Sequence, residues 1–365
     1  VKKIVLIAQG RAGFLQLAPL YAVLKKNAVL DPVFVRTVRK GEEHLLNDLS
    51  GAFGIAGPDY TAVIRPGSPV GETAALMVEL ENILAAASPV LVVPGGCDNA
   101  ALAAALVSAK LGIPVASIDA GLRSYDRTES DEINRMVIDS IAMLHFVSEH
   151  SGIYNLMNEG MPDEKIIFTG NTAIDSLVEL IGRANASGVL NELDIEPKKF
   201  VTVLLREPFH PATKDALELM IRVLSTIAAT TTVLFPCCTG MESMMKKHKL
   251  HHAFSDIPGL RIIEPPGYIE MLRLLKESAF VLTDTDEYQA ELTVMNVPCL
   301  SMRDSTARPS TIEVGTNVLV GFDEQAILEQ VSLILSGKPR SKTLIPEKWD
   351  GASSGRIAAV LERIE

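Results

Sequence analysis

The chain of 365 residues is 47% apolar and carries 34 basic against 45 acidic side chains, a net charge of −11. That is enough apolar material for two cores, and the acidic balance excludes non-specific binding to nucleic acid or to an anionic membrane surface. Four cysteines, Cys97, Cys237, Cys238 and Cys299, with no C-x-x-C spacing, exclude a disulfide framework and a paired-cysteine zinc site and fit a reducing, cytoplasmic location.

The first run, KIVLIA, is too short for a secretory segment and is predicted as a strand, followed by a helix over FLQLAPLYAVLKK. PVFVR, PVLVVPGG, IPVASIDAG and LHFVSE read as further strands, with NAALAAALVSAKLG as an intervening helix whose alanines suit close packing. Lys110 interrupts the longest apolar stretch well short of the ~20 residues a membrane span requires. This βα succession predicts a doubly wound parallel sheet within residues 1–180. The polar stretch 181–199 is predicted as a linker. The pattern then restarts over 200–351 with KFVTVLL, a helix from about Thr213 to Ala229, TTVLFPC, LRIIEPP, YIEMLRLLKES, FVLTD, NVPCLSM and NVLVG. A last amphipathic helix, within 352–365, is compatible with packing on either domain, including a return onto the first.

Several side chains stand out by type and spacing. LTDTDEYQAE follows the run FVL, so Asp284, Asp286 and Glu287 fall at a strand's carboxyl end, where α/β proteins hold ligands. The D-x-D pattern suits a magnesium ion, but it is a weak pattern, and no metal site is expected from it. HKLHH sets His248, His251 and His252 at helical spacing on one face. Nothing acidic or thiolate completes a site there, so a solvated basic face is expected. Cys237 and Cys238 read as small buried residues, and Cys97 lacks a nearby histidine partner for nucleophilic chemistry.

Five segments carry a resemblance: GIPVASIDAGLRS, SDEINR, FTGNTAIDSL, EPPGYIEML and MRDSTARPSTIEVGTNVLVG. In this order they resemble the non-hydrolysing UDP-N-acetylglucosamine 2-epimerases. The resemblance implies an α/β fold of GT-B architecture, with two Rossmann-like doubly wound domains facing a cleft and no cofactor. It also implies a homodimer and a small sugar or nucleotide-sugar ligand, with neither nucleic acid nor membrane as partner. The implied reaction removes the C2 proton of UDP-GlcNAc, eliminates UDP, and adds it back with C2 inverted to give UDP-ManNAc.

The resemblance maps acid/base groups to Asp119 and Asp131, which stand where the family has glutamates, with Asp98 and Glu132 as neighbouring carboxyls. Cys97 falls at the family's HGD aspartate, Leu204 at its histidine and Gln16 at its lysine, while His210 lies close by. Ligand contacts map to Arg11, Arg123, Arg135, Asn171, Thr285, Asp286, Glu287, Glu291 and Arg308. Thr285-Asp286-Glu287 replaces a Ser-Gly-Gly turn whose N–H groups meet the diphosphate. These replacements leave three expectations open: an epimerase with slowed turnover, a same-fold enzyme for a different sugar or nucleotide sugar, and a non-catalytic binding or partner subunit.

Overall fold

The computed structural model describes residues 1–39, 43–65, 67–205, 213–337 and 343–364. They form two compact units, Val1–Leu180 with Pro346–Glu365, and Ile181–Ile345.

In the first unit the strands are β1 (Lys2–Gln9), β2 (Leu30–Arg39), β3 (Tyr60–Ile64), β4 (Leu91–Gly95), β5 (Ala116–Ile118), β6 (Leu144–Val147) and β7 (Ile166–Phe168). The first four pair in the order β3-β2-β1-β4 and the last three in the order β5-β6-β7. A parallel bridge between Val92 and Val115 carries the pairing from β4 to the start of β5. Every pairing is parallel, with Leu6 opposite Phe34 on one side and Val93 on the other. Ile4 to Ala8 are fully buried, because helices cover both faces of the sheet, and this is why the strand reads as an unbroken apolar run.

Helix Asn99–Lys110 shows how composition becomes packing. Ala100, Ala101, Ala103, Ala104 and Ala105 are buried along it, and it lies against helices Pro69–Ala87 and Ser130–Ile141 and strand β4. The alanines expected to permit close packing are thus used inside the unit. At the other end of the chain, Asp175 accepts the N–H groups of Ser353 and Ser354 at 3.1 and 2.6 Å, and Trp349 Nε1 donates to the Ser148 carbonyl at 2.9 Å. These bonds anchor helix Ser353–Leu361 to the first unit. Gly170, at φ 87°, lies under this returning segment, and a Cβ there would meet the Lys348 carbonyl oxygen at 2.1 Å. Only glycine fits.

The second unit contains β8 (Phe200–Leu204), β9 (Thr232–Pro236), β10 (Leu260–Ile263), β11 (Val281–Thr283), β12 (Cys299–Ser301) and β13 (Asn317–Leu319). They form one parallel sheet in the order β10-β9-β8-β11-β12-β13. Both units therefore reverse strand order beside their first strand, the switch point at which Rossmann-type sheets bind ligands at the carboxyl ends. Within 181–199, helix Val189–Glu192 buries Val189 and Leu190 against Phe200, Leu234 and Leu274 of this unit. Helix Lys214–Ala228 starts on Thr213, whose hydroxyl accepts the Ala216 N–H at 3.2 Å.

Candidate functional site

In the first unit, the carboxyl ends of β1, β4 and β5 are tied together by one side chain. Helix Gly10–Lys25 follows β1 directly. A Cβ at Gly13 would stand 2.8 Å from the Gly95 carbonyl oxygen, and one at Gly95 would stand 2.7 Å from that of Gly13. The absent side chains seat the helix on the end of β4 and aim Gln16 at the loops beyond. Gln16 is 6% exposed. Its Oε1 accepts the Gly96 N–H at 2.7 Å, and its Nε2 donates to Asp119 Oδ2 at 2.7 Å. Asp119 holds a left-handed backbone at φ 56°, a conformation aspartate tolerates better than most residues. Arg11 is half-buried in the first turn of the same helix.

Two residues beyond Gly96, Asp98 caps helix Asn99–Lys110 by accepting the Ala100 and Ala101 N–H groups, each at 3.0 Å. Burial is the largest influence on its carboxyl and the negative charge of Asp131 adds to it. The N–H bonds and Arg39 oppose them, and the result is a pKa raised to about 7. Asn134 Nδ2 donates to the Cys97 carbonyl at 2.9 Å and so holds helix Ser130–Ile141, with the exposed Asp131 in its first turn, against this loop. Asp98 and Asp119 are thus linked through Gln16 and Gly96, and the charge of Asp131 bears on Asp98.

Other candidates hold the scaffold. Glu132, 1% exposed, accepts the N–H groups of Ser124 and Tyr125 at 2.9 and 3.0 Å and pairs with Arg135 Nη1 at 3.2 Å. Arg123 is buried, donating through Nη1 to Asp139 at 2.8 Å and to the Leu122 carbonyl at 2.8 Å. Its Nε and Nη2 meet the two oxygens of Glu159 at 2.9 and 2.7 Å. Burial works against the Arg123 charge, but Glu159 and Asp139 outweigh it and hold the guanidinium protonated. Asn171, fully buried, accepts the Ala173 N–H at 2.9 Å and so caps helix Thr172–Asn185.

In the second unit, the turn after β11 closes on its own side chains. The Thr285 N–H donates to Thr283 Oγ1 at 3.1 Å, and the Glu287 N–H to Thr285 Oγ1 at 3.3 Å. Asp284 and Thr285 are buried, Asp286 is half-buried and Glu287 is exposed. Glu291, 1% exposed, accepts the Tyr268 hydroxyl at 2.6 Å.

Arg308 lies half-buried on a loop that a buried polar chain holds in place. Thr306 Oγ1 donates to Gln289 Oε1 at 2.7 Å and Gln289 Nε2 to Ser301 Oγ at 3.1 Å. Ser301 Oγ then donates to Asn317 Oδ1 at 2.6 Å, and Asn317 Nδ2 to Thr311 Oγ1 at 3.2 Å. The bridging amides of Gln16 and Gln289 are invisible to motif reading, because each one's partners lie far off in the chain or read as ordinary strand residues.

Leu204, 6% exposed, packs with Met271, Leu275, Val281 and Leu292. His210 lies outside the described residues. The expected single face of His248, His251 and His252 does not form. Helix Thr239–Lys247 stops at His248, Lys249 turns left-handed at φ 60°, and a new helix begins at His251. Among the described residues no three His, Cys, Asp or Glu side chains gather as a metal site, and no helix is long and apolar enough to cross a membrane.

Parallel strands in two units, each with a reversal point beside its first strand and polar side chains gathered at the strand ends there, define an α/β protein of the two-unit Rossmann, GT-B class. The family model described as UDP-N-acetylglucosamine 2-epimerase matches residues 22–362, and the chain belongs to that family. It is 30% identical over 365 residues to the UDP-N-acetylglucosamine 2-epimerase of Methanocaldococcus jannaschii, covering 98% of each chain. The crystal structure of the M. jannaschii UDP-GlcNAc 2-epimerase in complex with UDP-GlcNAc and UDP matches with a TM-score of 0.91 at 29% identity, covering 99% of both chains. The UDP-2,3-diacetamido-2,3-dideoxy-D-glucuronate 2-epimerase of Pseudomonas aeruginosa is 28% identical, over 99% of this chain and 100% of the relative.

Proposed function

We propose that this UDP-GlcNAc 2-epimerase-like protein binds a nucleotide sugar or a closely related sugar, and converts UDP-GlcNAc to UDP-ManNAc far more slowly than an intact relative. The observation that carries the reading is the turn after β11. Its Thr285 and Glu287 N–H groups are engaged by threonine hydroxyls, and Asp286 and Glu287 add carboxylates where the resemblance expects glycines. Backbone N–H groups so engaged are poor partners for a diphosphate leaving group, which needs them most in the transition state.

Leu204 supports the same reading. It stands where the resemblance expects a histidine, is packed among apolar side chains, and cannot transfer a proton. Losing one acid/base group lowers a rate by ~10²- to 10⁴-fold. Proton handling at the sugar falls to Asp98 and Asp119, with Asp131 beside Asp98. Asp98 has the property such a role asks for, a carboxyl that changes its protonation state near neutral pH.

In this reading Arg11 and Arg135 offer ligand contacts on the first unit, and Arg308 and Glu291 on the second, while Glu132, Arg123 and Asn171 act by holding the loops. A sugar other than GlcNAc is the second reading, favoured by the rebuilt turn and by a relative named for a different sugar. The protein acts as a homodimer in the cytoplasm, which light scattering and fractionation check.

The test is proton NMR of purified protein with UDP-GlcNAc in D2O, reading both product and deuterium at C2. The reading expects UDP-ManNAc formation at least a hundredfold below that of the M. jannaschii relative. Equal rates would remove it.

A further inference from the structure

We propose that Gln16 is the positioning residue for Asp119, its amide serving as a two-ended clamp between the ends of β4 and β5. The inference deepens the proton-handling reading above and rests on it for its functional meaning. Gln16 comes from helix Gly10–Lys25, far in the chain from both strands, and its two polar atoms reach both loops at 2.7 Å.

The direction of the amide is set by its partners. The Gly96 N–H can only donate, so Oε1 must face it, and Nε2 must face the Asp119 carboxylate. Both loop residues have left-handed backbones, Gly96 at φ 83° and Asp119 at φ 56°. A non-glycine residue such as Asp119 keeps that conformation when its surroundings hold it there, and the clamp supplies such a hold. A side chain that only donates would leave the Gly96 N–H without its acceptor, and one that only accepts would set charge against the Asp119 carboxylate. The site needs one donor and one acceptor on a planar group of glutamine's length.

The clamp gives Gln16→Glu a distinctive behaviour. When protonated, glutamic acid reproduces the amide, its carbonyl accepting from Gly96 and its O–H donating to Asp119. When the shared proton is lost, two carboxylates face each other across a hydrogen-bond distance, and such pairs resist double ionisation. Gln16→Glu should therefore melt with the wild type near pH 4.5 and about 5 °C below it near pH 8, on the scale of a lost buried hydrogen bond to a charged group.

Gln16→Met, which can neither donate nor accept, should melt low at both pH values. Adding Asp119→Asn to Gln16→Glu should restore the melting temperature at pH 8, because the introduced asparagine amide then donates to the carboxylate at position 16. A merely space-filling role for Gln16 predicts instead that Gln16→Met melts with the wild type at both pH values, and that result would overturn the clamp.

The experiment is a set of thermal melts of the full chain at pH 4.5 and 8 for the wild type, the single variants and the Gln16→Glu/Asp119→Asn pair. Equal losses for Gln16→Glu at both pH values, with no restoration in the double variant, would overturn the clamp. Deuterium exchange at sugar C2 tests the functional meaning separately. Its absence from the wild type counts against the proton-handling reading and leaves the melts to decide the clamp, while exchange equally fast in wild type and Gln16→Met overturns the positioning role.

Discussion

Asp98→Asn separates the charge of Asp98 from its capping role. The asparagine Oδ1 can still accept the Ala100 and Ala101 N–H groups that Asp98 holds at 3.0 Å, so the helix start is kept while the proton is removed from consideration. In the folded chain Asp98 loses its proton near pH 7, against 3.8 for an unperturbed aspartate. The sign follows from linkage: between these values the folded state binds the proton and the unfolded state does not, so stability falls as pH rises through this window and levels off above it. The full effect is about 4 kcal/mol at 1.36 kcal/mol per tenfold change in proton affinity, a large share of a typical domain's 5–15 kcal/mol. Urea unfolding of wild type and Asp98→Asn between pH 4.5 and 8, following the transition of the first unit, isolates this contribution by difference. The variant should exceed the wild type by about 1 kcal/mol at pH 4.5 and by about 4 kcal/mol at pH 8. A difference that stays flat across this range would show that the loop does not hold the proton, and would take away the main support for Asp98 as an acid/base group.

Replacing Arg123 by methionine should destabilise the first unit by about 3–5 kcal/mol, because Asp139 and Glu159 are left facing each other without their cation. Lysine should rescue little, since it cannot match the two-oxygen contact with Glu159; equal denaturation midpoints for wild type and Arg123→Lys would refute the bidentate account. Replacing Asp286 and Glu287 by glycine should raise the affinity for metal-free UDP about a hundredfold by calorimetry. A carboxylate about 5 Å from a phosphate charge repels it by roughly 3 kcal/mol at an effective dielectric near 20, before screening by salt. Tight UDP binding by the wild type without metal would show that this turn does not meet the phosphates.

The sheets were legible because parallel strands covered on both faces appear as near-continuous apolar runs, and β1 and β8, the latter interrupted only by the buried Thr202, are clear cases. Their order in space was not legible, since the strand next to β1 on one side is β4, joined only after two intervening strands. Arg123 shows why charged residues mislead. In AGLRS it stands beside no acid, and its partners Asp139 and Glu159 lie 16 and 36 residues further on, so the sequence presents an unpaired cation where the fold has a buried arginine held between a buried aspartate and a surface glutamate. The histidine run fails for a local reason, because helical spacing presumes a continuous helix and Lys249 breaks it. Gln16, met in the sequence only as a neutral residue where the resemblance has a lysine, becomes informative once both ends of its amide have partners.

The carboxyls of the first unit divide by what their surroundings do to the charge. Glu132 receives two backbone N–H groups and an arginine, and Asp139 receives the Gly121 N–H and Arg123. Asp175 receives the N–H groups of Ser353 and Ser354. Each is matched to donors and explains itself as part of the scaffold, although burial still pushes the Asp139 and Asp175 carboxyls up. Asp98 also caps a helix, but burial above all, with the like charge of Asp131 adding to it, outweighs its N–H donors and pushes its carboxyl up to about 7. A fold that needed only a helix cap there could use serine or asparagine without that penalty. An arrangement that lowers stability above about pH 4, lies beside a switch point of the sheet, and puts a titrating group two residues from Gly96 is one the proposed proton transfer would use. The dependence runs in one direction. If Asp98→Asn gains stability at pH 8 and loses deuterium exchange at sugar C2, the strain belongs to function; if it gains stability and exchange is unaffected, Asp98 is a cap with an unfavourable neighbour, and Asp119 alone is left to move the proton.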